Sequence, residues 1–271
     1  MRPKLSRRHV LRKTGVALAG TATALNAGLL QAASRSKRGS VTSSAGASIS
    51  LSVEEMVGQL LICGLPATSA ADESAQLLAQ QLANGKVGGS VLLRHNVKNR
   101  ESVLSLTELF VSANPRVLNA IDQEGGLVQR MSKAVGFSKL PRAQWVAEHL
   151  SHGQAAELYF EAGEELRRAG FNLNLAPSVD WHDPDNPVIG KYGRSFGVGL
   201  NTIEGYAASF VEGMQRAGLA ATLKHFPGHG TSRGDSHNGF VDISTTWSAE
   251  ELLPFERLAS RAQLVMGGHL F

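Results

Sequence analysis

After residue 50 the chain alternates short, near-continuous apolar runs with amphipathic helical patterns, and this alternation limits the fold more than any other feature. A strand that is apolar on both faces must be covered on both faces. That points to parallel strands joined by helical crossovers. The apolar runs are LLICGL (60–65), GGSVLLR (88–94), RVLNAID (116–122), FNLNLAPSVD (171–180), LAATLKHF (219–226) and AQLVMGGHLF (262–271). Between them lie helical patterns: one opened by the Ser52/Glu55 capping box, one over 71–84 that stops at Gly85, and one over 100–113 that ends before Pro115. Two more, 153–169 and 202–217, each end in Arg-Ala-Gly, where the glycine supplies a left-handed cap, and Ser248 and Glu251 cap a last one.

A doubly wound sheet and a (β/α)8 barrel both fit this pattern. The polar residues favour the barrel. Asp122, Asp180, Lys224, His225 and His269 fall at the carboxyl ends of different expected strands. A barrel gathers all those ends around one mouth, whereas a doubly wound sheet uses mainly those near its switch point. No G-x-G-x-x-G follows the first strand. The expected fold is therefore α/β, a TIM-type (β/α)8 barrel truncated after about six strands. An open arc of this kind exposes apolar strand edges, so the 271 residues are expected to be a truncated form or fragment of a longer protein.

The calculated pI of 9.4 suggests a nucleic-acid partner until the charge is located. Residues 1–33 carry Arg2, Lys4, Arg7, Arg8, Arg12 and Lys13 and no acid; beyond them 21 cations face 23 anions. No basic stripe interleaved with aromatics tracks a phosphate backbone, and no nucleic-acid partner is expected. A charged start followed by a weakly apolar Ala/Gly/Thr-rich run has the layout of an export signal. Ser6-Arg7-Arg8 resembles the start of a twin-arginine signal, although Val10 stands where such signals usually carry Phe. Residues 1–33 are expected to direct export to the periplasm or beyond the cell, with cleavage near Ala24 or Ala33, and 34–50 to form a flexible Ser/Gly/Ala leader. The apolar run is too short for stable membrane insertion. Cys63 is the sole cysteine, so the chain forms no internal disulfide.

The densest chemistry lies in KHFPGHGTSRGDSH (224–237). As a zinc site it would use His225, His229 and His237, but Pro227, Gly228 and Gly230 exclude the helix that would align the first two. As a phosphate cradle it lacks the P-loop order. As acid/base equipment it makes more sense: at a spacing of two, Asp235 can bond one ring nitrogen of His237 and leave the other free to move a proton. No metal and no cofactor are expected.

LKHFPGHG, four residues, then DSH resembles the signature of glycoside hydrolase family 3, in its β-N-acetylglucosaminidase branch. IDQEGGLVQR (121–130) and NPVIGKYGRSFG (186–197) resemble further blocks of that family, in the same order, so the similarity spans about 51–271 as the family's N-terminal catalytic barrel. The resemblance implies that His237 is the general acid/base and Asp235 its orienting partner. It also implies that Asp122, Arg130, Arg194, Lys224 and His225 bind the terminal sugar. A retaining glycosidase needs a nucleophile too; in the family this is an Asp near the end of the next barrel strand, beyond residue 271. The implied function is an exported, monomeric β-N-acetylglucosaminidase acting on cell-wall or chitin-type oligosaccharides, inactive as this chain alone. A β-N-acetylglucosaminide phosphorylase and a non-catalytic sugar-binding remnant are the alternatives.

Overall fold

The computed structural model describes residues 51–271, and the expected export signal and leader lie outside the described residues. Ser52 and Glu55 form the expected capping box and open α1 (Val53–Gly58). There follow β1 (Ile62–Cys63), α2 (Glu73–Ala83), β2 (Gly89–Leu92), α3 (Arg100–Ala113) and β3 (Leu118–Ile121). Two helices, α4 (Ala143–His149) and α5 (His152–Arg168), separate β3 from β4 (Leu173–Asn174). The chain continues through α6 (Leu200–Arg216), β5 (Ala220–Phe226), α7 (Leu253–Leu258) and β6 (Leu264–Gly267).

All six strands are parallel, and each pairs with the next one in the chain. A doubly wound sheet reverses its strand order at a switch point. This sheet never reverses, and it curls into the half-barrel that the sequence predicts. The strands are shorter than their apolar runs. In 171–180 the ladder stops at Asn174 because Pro177 has no N–H to give. The segment still runs beside β5: Ala176 and Pro177 accept from the N–H groups of Thr222 and Lys224, and Ser178 bridges Lys224. Asp180 is thereby carried to the same end of the sheet as Lys224.

Packing of the outer helices depends on small residues. Gly163 of α5 and Gly213 of α6 face each other's helix, and Tyr159 and Phe210 meet with ring centroids 4.4 Å apart. The inside of the sheet carries a polar row: Ser90 donates to Asn119 at 2.8 Å, and the Asn119 amide group reaches the Gly170 carbonyl. The two ends of the arc are apolar and exposed, as expected for an open sheet. Val53, Met56, Val57, Leu60, Leu61 and Ile62 face solvent at the β1 end, and Val265 and Phe271 at the β6 end. Among the described residues, no helix is long and apolar enough to cross a membrane.

A Cβ at Gly213 would sit 2.7 Å from the Ala156 carbonyl oxygen, the Phe160 nitrogen and Tyr159 Cβ, two of which are backbone atoms with no room to move. Helix propensity alone would make Gly213→Ala stabilising by about 1 kcal/mol. Overpacking of about 1–3 kcal/mol opposes it. The expected outcome is net destabilisation, read as a lower urea midpoint at unchanged m-value.

Candidate active site

The carboxyl ends of β3, β4, β5 and β6 surround a cavity of about 200 Å³. Its lining includes Asp122, Arg130, Arg194, Lys224, His225 and His237, which are six of the seven residues singled out from the sequence. The seventh, Asp235, is bonded to His237. Residues separated by up to 115 positions are thus brought to one mouth, as the barrel reading requires.

The floor is a chain of charges, buried at Lys224, Glu124 and Arg194 and half-buried at Asp122 and Arg130. Lys224, at the end of β5, is 2% exposed and places Nζ 2.6 Å from Asp122 Oδ1 and 2.5 Å from Glu124 Oε1. Glu124 also receives Arg194 through both carboxylate oxygens, at 2.8 and 2.7 Å, in a bidentate pair. Arg130 Nη2 closes the row on Asp122 Oδ2 at 3.1 Å. Burial by itself would raise the Glu124 pKa. The Lys224 ammonium and the Arg194 guanidinium overcome that and hold the carboxyl well below the ordinary range. Burial likewise opposes the charge on Arg194, and the Glu124 carboxylate more than restores it.

Glu124 was absent from the sequence-derived set. It sits in the turn IDQEGG as one more acid after a strand, with nothing local to mark it as buried. A signal was available: several cations expected at one mouth, with Asp122 as the one expected carboxylate among the sugar ligands, leave positive charge unbalanced.

The wall beside β5 is built on Asp180. Its Oδ2 accepts from His225 Nδ1 at 2.6 Å and from the Ser178 hydroxyl at 2.9 Å. Its Oδ1 accepts the backbone N–H groups of His225 and His229. Full burial would raise the Asp180 pKa, but His225 and these donors pull it from 3.8 to about 2. On the other side of the ring, His225 Nε2 lies 3.3 Å from Arg194 Nη2. A guanidinium can only donate, so Nε2 accepts and Nδ1 carries the proton shared with Asp180. The Lys224–His225 peptide is cis, and both side chains line the cavity.

The rim is the loop after β5. His237 Nδ1 stands 2.7 Å from Asp235 Oδ1, and the His237 backbone N–H reaches the same oxygen at 2.9 Å. The backbone N–H, then the ring, hold the Asp235 carboxyl below its ordinary pKa against a small burial effect. The His237 side chain is 78% exposed, so its Nε2 faces space that a ligand can enter. The zinc reading finds no support in this geometry. His225 is held between Asp180 and the Arg194 guanidinium, and both nitrogens of His229 face serine hydroxyls, so the three rings do not turn free nitrogens toward one point.

The sequence that builds this mouth, an Asp–His pair above a row of charges, matches known families and proteins. The family described as "Glycosyl hydrolase family 3 N terminal domain" matches residues 52–271. The chain belongs to this family. A protein named beta-hexosaminidase LpqI from Mycobacterium tuberculosis is 35% identical over 225 residues, covering 81% of this chain and 55% of the relative. A beta-hexosaminidase from Xylella fastidiosa is 38% identical over 200 residues, covering 70% of this chain and 58% of the relative. Among solved structures, a family 3 beta-N-acetylglucosaminidase from Paenibacillus sp. superposes with a TM-score of 0.70 at 32% identity, over 82% of this chain and 43% of that one. This family 3 chain spans about half the length of the curated relatives it matches.

Asp180 is the cleanest probe of the wall. Its folded pKa is depressed, so its contribution is fully present above the unfolded value near 3.8 and is lost as pH falls through about 2. The stability difference between wild type and Asp180→Asn, set by chemical denaturation at pH 6, is expected to shrink by roughly 2 kcal/mol over that window. A pH-independent difference would show that the Asp180 charge contributes nothing.

Proposed function

We propose that residues 51–271 are the sugar-binding and proton-transfer part of an exported β-N-acetylglucosaminidase. The enzyme removes terminal β-linked N-acetylglucosamine from cell-wall or chitin-type oligosaccharides by a retaining route. The observation that carries this reading is the Asp235–His237 pair held at 2.7 Å on the rim of the cavity floored by Asp122, Arg130, Lys224 and Arg194. The beta-hexosaminidase names of its relatives agree with it. Export rests on the charged, Ala-rich layout of residues 1–33.

In this reading each group has one task. Asp122 accepts from vicinal hydroxyls through the lone pairs that Lys224 and Arg130 leave free. Arg130 keeps a buried Nε with no hydrogen-bond partner, a donor for a hydroxyl or an acetamido oxygen. His237, protonated at Nε2, gives that proton to the glycosidic oxygen as the bond to the leaving group breaks. Asp235 fixes the ring through Nδ1 and stabilises its charged form. With the leaving group gone, Nε2 takes a proton from the water that completes hydrolysis.

A retaining route also needs a carboxylate at the anomeric carbon, about 5 Å from the acid. Among the described residues that line the cavity, Asp122 is the carboxylate, and both its oxygens are engaged by cations. We assign the nucleophile to a residue outside 51–271.

Calorimetry with N-acetylglucosamine is expected to show binding by the 271-residue chain, weakened about 10-fold or more by Arg130→Leu, the loss of a charged hydrogen bond. The same chain is expected to leave an aryl N-acetyl-β-glucosaminide uncleaved. Turnover abolished by His237→Ala would place the nucleophile within the chain after all. Absence of binding would remove the sugar-site reading.

A further inference from the structure

The loop that carries Asp235 and His237 has a buried base and an exposed tip. At the base, Asp180 accepts the His229 N–H at 2.8 Å. Glu251, itself 2% exposed, accepts the Gly230 N–H at 3.1 Å and the Thr231 hydroxyl at 2.6 Å. Asn186 donates to the carbonyls of His229 and Ser232 at 2.7 and 3.0 Å. The tip is different. His237, Asn238, Gly239 and Phe240 are exposed, and the Asp235 carboxylate accepts from the backbone and ring of His237.

Between base and tip stands His229, which is 2% exposed and has no task in the reaction described above. Its Nδ1 lies 2.6 Å from Ser232 Oγ, and its Nε2 lies 3.3 Å from Ser236 Oγ. The hydrogens are placed by distance. The two amide hydrogens of Asn186 go to the carbonyls of His229 and Ser232, so its 3.1 Å approach to Ser232 Oγ leaves the direction of that hydroxyl open. The Ser232 hydroxyl has two acceptors in reach, and His229 Nδ1 at 2.6 Å is favoured over the Gly234 carbonyl at 3.4 Å. Nδ1 is therefore the acceptor, and the ring proton sits on Nε2, aimed at Ser236. Burial lowers the His229 pKa, which suits a ring holding one proton. The result is a row from Ser232 through His229 to Ser236, the residue between Asp235 and His237, and Asn186 anchors its start through the Ser232 carbonyl.

We infer that His229 is a positioning residue that holds the Asp235–His237 pair over the cavity through its hydrogen bond to Ser236. The inference rests on the reading of His237 as the acid/base, and it gives the buried histidine of the PGHG turn a task separate from sugar binding. The long reach of the row matters. Asn186 belongs to the segment that also carries Arg194, whose Nη2 lies on the floor of the cavity, so floor and rim are referred to the same backbone. Beyond the dyad the tip is held by the stack of Phe240 on Phe271, with ring centroids 4.2 Å apart, while the His229–Ser236 contact ties the dyad itself to the buried base.

The test uses the 271-residue chain and two readouts. In hydrogen exchange followed by mass spectrometry, Ser236→Ala is expected to speed exchange at amides 235–239 about fivefold, the factor one net hydrogen bond supplies. Amides 227–232 should be unchanged, and Ser236→Thr, which keeps the hydroxyl, should restore the wild-type rates. In long-range proton–nitrogen NMR of histidine-labelled protein, the wild-type His229 ring is expected as the Nε2–H tautomer. Unchanged exchange at 235–239 in Ser236→Ala, or an Nδ1–H ring at His229, would overturn the proposal. His229→Gln is a supporting variant only if it folds; Ser236→Ala leaves the buried base untouched and decides the matter. N-acetylglucosamine binding is measured separately on wild type, so a failed sugar reading would show there without altering the exchange result.

Discussion

The Lys224 ammonium is the interaction on which the rest of the site depends. At 2% exposure it has no water to solvate it, and two carboxylates from the end of β3 take water's place. Neither carboxylate serves it alone. Asp122 is shared with Arg130 and Glu124 with Arg194, so Lys224 and each of its two carboxylates have two partners of opposite charge. Desolvating ions is costly, and a buried pair offers little net stability over a well-packed apolar substitute. Breaking one is another matter, at about 3–5 kcal/mol, because the survivor stays buried and unpaired. The network therefore acts as a constraint more than as a source of stability. It requires the ends of β3 and β5 and the segment through Arg194 to meet at one point.

That constraint links fold to chemistry. Parallel strands in sequential order deliver Asp122, Asp180 and Lys224 to one end of the sheet, since each strand runs the same way and lies beside its predecessor. The helices behind them pack closely on one another, through contacts such as Tyr159 on Phe210. The floor is accordingly buried and tied down from several elements. The proposed proton donor, His237, stands on the opposite kind of structure, an exposed loop tip joined to a buried, hydrogen-bonded base. In the proposed reading a floor that holds the sugar and a rim that carries the proton donor ask for different degrees of freedom, and the chain separates them.

Much of this was legible in the sequence. Apolar runs with helical patterns between them gave the strand order and the helices other than α4 (Ala143–His149), and polar residues at the run ends gave the mouth. The Asp-Ser-His step gave the dyad, because a spacing of two fixes a local contact. What was not legible depends on long-range or backbone geometry. The run 171–180 reads as one strand, yet Pro177 interrupts its ladder and leaves two residues paired in register. Glu124 reads as an ordinary turn acid, and only its approach to Lys224 and Arg194, 100 and 70 residues away, shows its burial. His229 reads as a candidate metal ligand until Ser232 and Ser236 are seen to occupy its two nitrogens.

The central claim is spatial: one cavity presents a sugar to Asp122 and its cations while His237 faces the bond to be cut. A crystal structure of the 271-residue chain with a non-cleavable N-acetyl-β-glucosaminide tests it most directly. The sugar hydroxyls should lie within hydrogen-bond reach of Asp122 and Arg130, with the glycosidic oxygen about 3 Å from His237 Nε2. A sugar seated in the cavity with its glycosidic oxygen turned away from the loop, or a sugar bound elsewhere, would contradict it.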